Sequence, residues 1–351
     1  MNLFDTAHSL SVSLTTAQKI MSYITTTVFS IIAVVAFLGN LLVIYVFASK
    51  SSYLKKPYNI FIFNLAVTDF LTAILLVFSR YIYLPPMPEG ESSQLIYCRT
   101  ISSARILFMV GYISLYTCLA LTIERWFAVV KPLMYRSVVK ARHAVIVTAV
   151  VWTWGLVINF SSFFRYNVKH GKQTRCVSAQ LSVADKELFW LDFILQTVIP
   201  FALIVTLYIH ILCTLSKLPN VNTVNNRTLK KVTFVALAAS SVLIVGWMPG
   251  RIRLILIRSG FIAFNTNSPV QYSFATMALS NCSINPFLYG IYGARFREEY
   301  KAVFKKIFCG WKPRDGSRVR NASVIIVNQA VISMQERRTV RSHRSKLQTE
   351  C

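Results

Sequence analysis

The sequence predicts an all-α membrane protein, a bundle of seven transmembrane helices followed by a short amphipathic eighth helix. Of the 351 residues, 54% are hydrophobic and only 15% are charged, and the mean hydropathy is +0.51. Such a chain is too apolar for an ordinary soluble domain. It also contains seven apolar stretches, each long enough to cross about 30 Å of hydrocarbon as a helix. A bilayer is therefore its natural solvent.

The apolar stretches define four segments of the chain. We expect an extracellular N-terminus over residues 1–22 and a seven-transmembrane bundle over residues 23–292. An amphipathic juxtamembrane helix over 293–309 and a disordered cytoplasmic tail over 310–351 follow. Within the bundle the predicted spans are 23–48, 58–84, 98–130, 141–164, 188–215, 229–258 and 269–292. In the juxtamembrane helix an aromatic residue recurs every fourth position among Lys and Arg, which favours binding to membrane lipids, and Cys309 is a candidate for palmitoylation.

The net charge of +25 helps to orient the chain. Lys and Arg residues lie in the short loops after the first, third and fifth spans, where acids are absent between them. By the positive-inside rule these loops face the cytoplasm, so the N-terminus is extracellular and the C-terminus is cytoplasmic. Long apolar runs interrupt the basic residues, so no continuous surface for nucleic acid is expected. We expect a multi-pass protein of the plasma membrane.

Polar groups at bilayer depth are costly and therefore indicate function. The candidates are Asn40, Asn64, Asp69, Ser114, Asn281, Ser283 and Asn285. A plainer alternative is that Asp69 is neutral and only hydrogen-bonded. A transporter or channel would need paired charges and repeated halves, and an enzyme would need a His cluster or a nucleophile with its base. The sequence shows none of these patterns.

Several motifs occur in order along the predicted spans. They are Gly39-Asn40, residues 64–69, Glu124-Arg125-Trp126, Trp152, Pro200 with Tyr208, Trp247-Met248-Pro249, residues 285–289 and Phe296. Together they resemble the rhodopsin-like (class A) G protein-coupled receptors, and most of all neuropeptide receptors. The resemblance covers residues 23 to 309 and implies signalling to heterotrimeric G proteins without any bond chemistry.

The resemblance also implies roles for individual residues. It places an allosteric sodium ion, and no other cofactor, in a pocket of Asp69, Ser114, Asn281 and Asn285. It places activation switches at Trp247, Pro249, Pro200, Tyr208, Pro286 and Tyr289. It assigns G-protein coupling to Glu124, Arg125 and Trp126, and an extracellular disulfide to Cys98 and Cys176.

Some positions depart from the family pattern. Trp126 stands where Tyr is usual, Gly246 replaces a common Cys, and Leu115 and Leu243 occupy the apolar switch positions. Residues 227–231 contain no acid that could hold Arg125, so we expect Glu124 alone to restrain it and basal signalling to be raised. Cys98 precedes Arg125 by 27 positions, about two more than the family's usual spacing. Either the helix carries an insertion or the cysteine lies in the loop.

The ligand is expected to be a peptide. Leu107 and Leu279 occupy the positions where amine receptors carry Asp and opsins carry Lys. The outer halves of the spans instead mix fixed charges with aromatic residues, which suits a peptide. Candidate pocket residues are Arg80, Arg105, Asp192, Gln196, Arg251, Arg253 and Tyr272. The alternatives are a lipid or small anionic ligand held by these Arg residues, or an Arg paired only with Asp192. Seven Ser or Thr after Lys312 allow regulation by receptor kinase and arrestin.

Overall fold

The computed structural model describes residues 16–80, 88–102, 105–164, 166–170, 174–178, 183–217, 224–262, 269–292 and 294–308. Residues 1–15, Cys309 and the tail to residue 351 lie outside this part of the chain. The compact unit that holds the bundle extends to Tyr300, and the helical residues 301–308 belong to a second unit.

Seven long helices form the bundle in the described part of the chain, and we refer to them as the first to seventh spans. They are Thr16–Ser49, Pro57–Arg80, Arg105–Val130, Ala141–Phe163, Ile199–Lys217, Val224–Arg258 and Pro269–Tyr292. Six of them meet the length and hydropathy expected of a membrane-crossing helix. The seventh has 24 residues and packs between the first and sixth spans, which completes the bundle. An amphipathic helix, Ala294–Phe308, follows.

Two spans are preceded by helices with wider turns. The helix Glu91–Tyr97 leads through a π turn, Cys98–Ser102, towards the third span. The helix Val183–Phe193 leads through a second π turn, Ile194–Val198, into the fifth span. A π turn holds more residues than an α turn and commonly accommodates an insertion. Cys98 therefore lies in a helical turn rather than in a loop.

Short elements connect the spans. A 3-10 turn, Ser51–Lys55, follows the first span, and a short helix, Pro132–Val138, follows the third. Between the fourth and fifth spans, strands Tyr166–Lys169 and Arg175–Ser178 form an antiparallel hairpin. These elements are too short to have been visible in the hydropathy pattern.

The third span is the centre of the bundle. It packs against the second, fourth, fifth and sixth spans, and most of its side chains are buried. By contrast, the fourth span exposes a row of apolar residues, among them Val145, Ile146, Val150 and Phe160. A hydrocarbon environment covers such a surface without cost. We call the two ends of the bundle the disulfide end, at Cys98, and the arginine end, at Arg125.

Candidate functional site

A buried ion pair lies at the arginine end. Nε and Nη2 of Arg125 each donate to the Glu124 carboxylate at 2.5 Å, and the two residues are only 3% and 4% exposed. The Tyr135 hydroxyl donates to Glu124 Oε1 at 2.5 Å. The Arg125 guanidinium also lies 4.7 Å from the centre of the Tyr58 ring. A buried charge is stable only when it is paired and hydrogen-bonded in this way.

Among the described residues, Glu124 is the only acid paired with Arg125, as expected, but two tyrosines also contact the pair. The short helix Pro132–Val138 brings Tyr135 back to the carboxylate, and the second span supplies Tyr58. Burial raises the pKa of Tyr135 above its usual value, and the charge of Glu124 raises it further. The hydroxyl consequently remains a donor at neutral pH. These contacts add to the restraint on the ion pair, and raised basal signalling stays a prediction.

Trp126 links the third span to the fifth. Its indole Nε1 donates to Nδ1 of His210 at 3.1 Å, and the two rings are 5.9 Å apart between centres. The tryptophan that departs from the family pattern thus has a partner, His210, that no sequence motif singles out.

Asp69 forms the polar centre of the bundle. It is 1% exposed. It accepts a hydrogen bond from Asn285 Nδ2 at 2.6 Å and one from Ser114 Oγ at 3.5 Å. Asn281 is buried one turn before Asn285 and makes no hydrogen bond to Asp69 within the described residues. Within the described residues the side-chain oxygens of both asparagines lack a hydrogen-bond partner. The structure thus joins three of the four predicted residues directly and buries the fourth on the same helix.

The other buried amides hold helices together. Asn40 donates to the backbone carbonyl of Cys282 at 2.8 Å, which ties the first span to the seventh. Asn64 donates to Thr117 at 2.8 Å and accepts from Trp152 at 2.8 Å, which joins the second, third and fourth spans. Their role in the fold is therefore structural.

The predicted switch residues are distributed along the bundle. The ring of Trp247 lies 5.5 Å from the ring of Tyr112. Leu243, one turn earlier in the sixth span, is buried in the core. Pro249 and Pro286 lie inside the sixth and seventh spans, and Pro200, Leu115 and Leu243 are buried.

Two tyrosines belong to the same set. The Tyr208 hydroxyl is 3.4 Å from Ser240 Oγ, and the Tyr289 ring is 5.8 Å from Phe296. The buried Tyr289 hydroxyl has no hydrogen-bond partner within the described residues. Neither tyrosine is hydrogen-bonded to Arg125 in this part of the chain. They are therefore separate from the ion pair in this arrangement.

The disulfide between Cys98 and Cys176 is present. It joins the π turn before the third span to the second strand of the hairpin, where Cys176 is paired with Val168. The covalent link restrains the hairpin over the disulfide end of the bundle.

The predicted pocket residues do not share one environment. Arg251 is half-buried, and its guanidinium lies 4.8 Å from the Tyr112 ring and 5.2 Å from the Trp247 ring. Gln196 is 6% exposed and donates to the Ile158 carbonyl at 3.1 Å, so its amide ties the fifth span to the fourth. Of the remaining residues, Arg253 is buried, and Arg105 and Asp192 are half-buried. The side chains of Arg80 and Tyr272 lie outside the described part of the chain.

The amphipathic helix begins with contacts that the sequence did not predict. Glu299 accepts from Lys50 and from the Tyr53 hydroxyl. Phe296 packs against Phe47 with ring centres 5.4 Å apart, and the Tyr300 hydroxyl donates to the Pro286 carbonyl at 3.3 Å. Residues 296–300 are therefore attached to both the first and the seventh spans.

Comparison with known proteins agrees with this geometry. The family model for the 7 transmembrane receptor (rhodopsin family) matches residues 39–289. The allatostatin-A receptor of Bombyx mori is 27% identical over 316 residues, which cover 85% of this chain and 83% of that protein. The galanin receptor type 1 of Rattus norvegicus is 27% identical over 311 residues, 86% of this chain and 87% of that protein. The Mus musculus protein of the same name is 27% identical over 308 residues, 85% and 86% of the two chains. The chain thus belongs to the rhodopsin family of seven-transmembrane receptors and is a G protein-coupled receptor.

Proposed function

We propose that this receptor is gated by a neuropeptide or another small peptide and activates a heterotrimeric G protein. The observation that carries the proposal is its similarity, over about 85% of the chain, to receptors named for galanin and allatostatin-A. In this proposal the N-terminus and the disulfide end are extracellular. The arginine end and the C-terminus face the cytoplasm of a plasma-membrane protein.

The chemistry of the disulfide end supports a peptide. The Arg251 guanidinium lies against the rings of Tyr112 and Trp247. The charged residues Arg105 and Asp192 belong to the same end of the bundle. A peptide offers charges of both signs, hydrogen-bonding backbone and apolar side chains, and it can use each of these groups.

Transmission to the arginine end would follow a shift between two packings. Pro249 removes one backbone hydrogen bond from the sixth span two residues after Trp247, and this creates a hinge. An agonist that binds the open packing more tightly shifts the population towards it. Opening requires Arg125 to leave Glu124 and expose the arginine end to a G protein. Leu133, which is 82% exposed beside this end, is a candidate apolar contact for that partner.

A sodium ion fits the Asp69 cluster. The carboxylate, the Ser114 hydroxyl and the two unpaired oxygens of Asn281 and Asn285 are hard donors that suit a small cation. When bound there, the ion would neutralise Asp69 and favour the packing in which the second, third and seventh spans stay together. We expect sodium to lower agonist affinity in the wild-type receptor and to have little effect on Asp69→Asn. Equal sodium dependence of both receptors would refute the site.

The proposed ligand class can be tested in cells. G-protein activation is measured in cells that express the receptor after addition of a tissue extract, before and after digestion of the extract with protease. Cells that express Arg125→Ala at equal surface density provide the control. A response that is lost after digestion supports a peptide agonist, and a response that survives digestion refutes it.

A lipid or small anionic ligand is the second candidate. The observation that favours it is the positive charge of Arg105 and Arg251 at the disulfide end. A protease-resistant response that partitions into organic solvent would identify a lipid. Regulation through the tail, by receptor kinase and arrestin at its Ser and Thr residues and by palmitoylation of Cys309, is part of the same proposal. Agonist-dependent phosphorylation and acyl-exchange labelling would test it.

A further inference from the structure

We propose that Arg251 binds a carboxylate group of the peptide and transmits this binding to Trp247. The inference rests on the proposed function, and it adds the chemical group that the peptide must present. The group is a side-chain or C-terminal carboxylate, and its position in the bundle is the aromatic platform of Tyr112 and Trp247.

The geometry of Arg251 carries the first step. Its guanidinium lies over two rings at once, 4.8 Å from the centre of Tyr112 and 5.2 Å from the centre of Trp247. These rings are 5.5 Å apart, and they come from the third and sixth spans. The cation therefore contacts both helices whose separation is expected to change on activation.

The charge of Arg251 carries the second step. Among the described residues, no carboxylate contacts its guanidinium, and its interactions are those with the two rings and the repulsion from Arg105. The two carboxylates that are buried in the described part of the bundle are engaged elsewhere, Asp69 by Asn285 and Glu124 by Arg125. A cation held inside a membrane protein beside a second cation is costly without an anion. An incoming carboxylate would supply that anion.

The planar guanidinium explains how binding would reach Trp247. A carboxylate accepts two parallel N–H bonds from arginine, and this geometry fixes the position of the guanidinium plane. Forming this pair draws the group away from the ring faces and changes the contacts of Trp247. Arg251 is thus a binding residue whose movement is coupled to the sixth span near the Pro249 hinge.

The test uses the active fraction of the tissue extract in two chemical forms. Treatment with acidic methanol converts its carboxyl groups to neutral methyl esters, and mild base restores them. Both forms are titrated on wild type, on Arg251→Gln and on Arg258→Gln. Arg258 is the matched control because it lies on the same helix with its guanidinium 5.0 Å from a ring, that of Phe189, but two turns away from Arg251. Surface expression of each receptor is measured with an epitope tag.

We expect esterification to lower potency roughly 10- to 100-fold on wild type and on Arg258→Gln, as for the loss of a charge-assisted hydrogen bond, and base treatment to restore it. Arg251→Gln should show the lowered potency with both forms and no longer distinguish them. The proposal is overturned if Arg251→Gln, present at the cell surface, responds like wild type, still distinguishes the forms, or is silent to both. It is also overturned if esterification does not affect wild type, a result that needs no variant to fold.

The protease arm separates this inference from the proposed function. If the active fraction resists protease but esterification lowers its potency on wild type and Arg258→Gln and not on Arg251→Gln, the peptide is refuted and an anion at Arg251 is retained. If protease destroys the active fraction but esterification does not change its potency, the peptide agonist is retained and the role of Arg251 is refuted.

Discussion

Gly246 allows a close approach of the sixth and seventh spans just before Trp247. A Cβ atom at this position would lie 2.7 Å from the backbone oxygen of Met277, whereas ordinary contacts begin at 3.4 Å. The atom that it meets belongs to the backbone of the seventh span and cannot rotate away. Gly246→Ala therefore requires the two helices to separate by about 0.7 Å. A cysteine, which is common at this position in the family, would meet the same clash.

The change in the free energy of unfolding caused by Gly246→Ala is the sum of two opposing contributions. Forcing an extra methyl group into a well-packed helix interface costs about 1–3 kcal/mol. Replacing glycine with alanine inside a helix returns about 0.5–1 kcal/mol through backbone entropy. Gly250→Ala provides the second term alone, because its Cβ would lie 3.8 Å from the nearest atom, in Phe274, an ordinary contact. The difference between the two variants isolates the clash.

Thermal unfolding of the detergent-purified receptor measures this difference. We expect Gly246→Ala to unfold at a lower temperature than wild type and Gly250→Ala at an equal or higher one. Gly246→Cys should behave like Gly246→Ala or worse, since it adds a sulfur to the same clash. If Gly246→Ala proves as stable as Gly250→Ala, the close approach at Met277 is not a feature of the receptor.

Three further predictions follow from the two ends of the bundle. Tyr135→Phe removes the hydroxyl hydrogen bond to Glu124, worth about 1.5 kcal/mol, and should raise basal nucleotide exchange about tenfold. The same change at the exposed Tyr45 should not raise it. Equal basal activity of the two variants would contradict this account. Cys98→Ser should abolish the agonist response of receptors that reach the cell surface, and an unchanged response would show that the hairpin needs no covalent restraint. Leu133→Ala should reduce agonist-stimulated G-protein activation without altering agonist binding or thermal stability, whereas a parallel loss of binding would indicate a role in folding.

Sequence periodicity accounts for most of the fold. The length of each apolar run determines that a helix forms and crosses the bilayer, because every backbone polar group must be satisfied within the hydrocarbon. The seventh helix was expected over 269–292 and occupies Pro269–Tyr292. The π turn at Cys98 was not expected in that form, because an inserted residue changes the spacing of a motif without changing its hydropathy.

Some residues of the candidate site could be identified from the sequence, and others only from the structure. The motif residues Asp69, Arg125 and Trp247 could be identified from the sequence, since family motifs and the cost of buried charge single them out. Tyr135, which bonds Glu124, and His210, which bonds Trp126, could not, because each lies on a separate element and nothing in its own neighbourhood marks it.

By itself, therefore, the sequence determined the number of spans, the family and the residues that are costly to bury. Only the tertiary structure decided that Tyr135 stabilises Glu124, that Arg251 rests on Tyr112 and Trp247 with no carboxylate beside it among the described residues, and that Gly246 faces the backbone of the seventh span. The physical reason is that hydropathy and spacing act within a single helix. The rotation of each helix and its distance from its neighbours depend on side chains that are far apart in the chain.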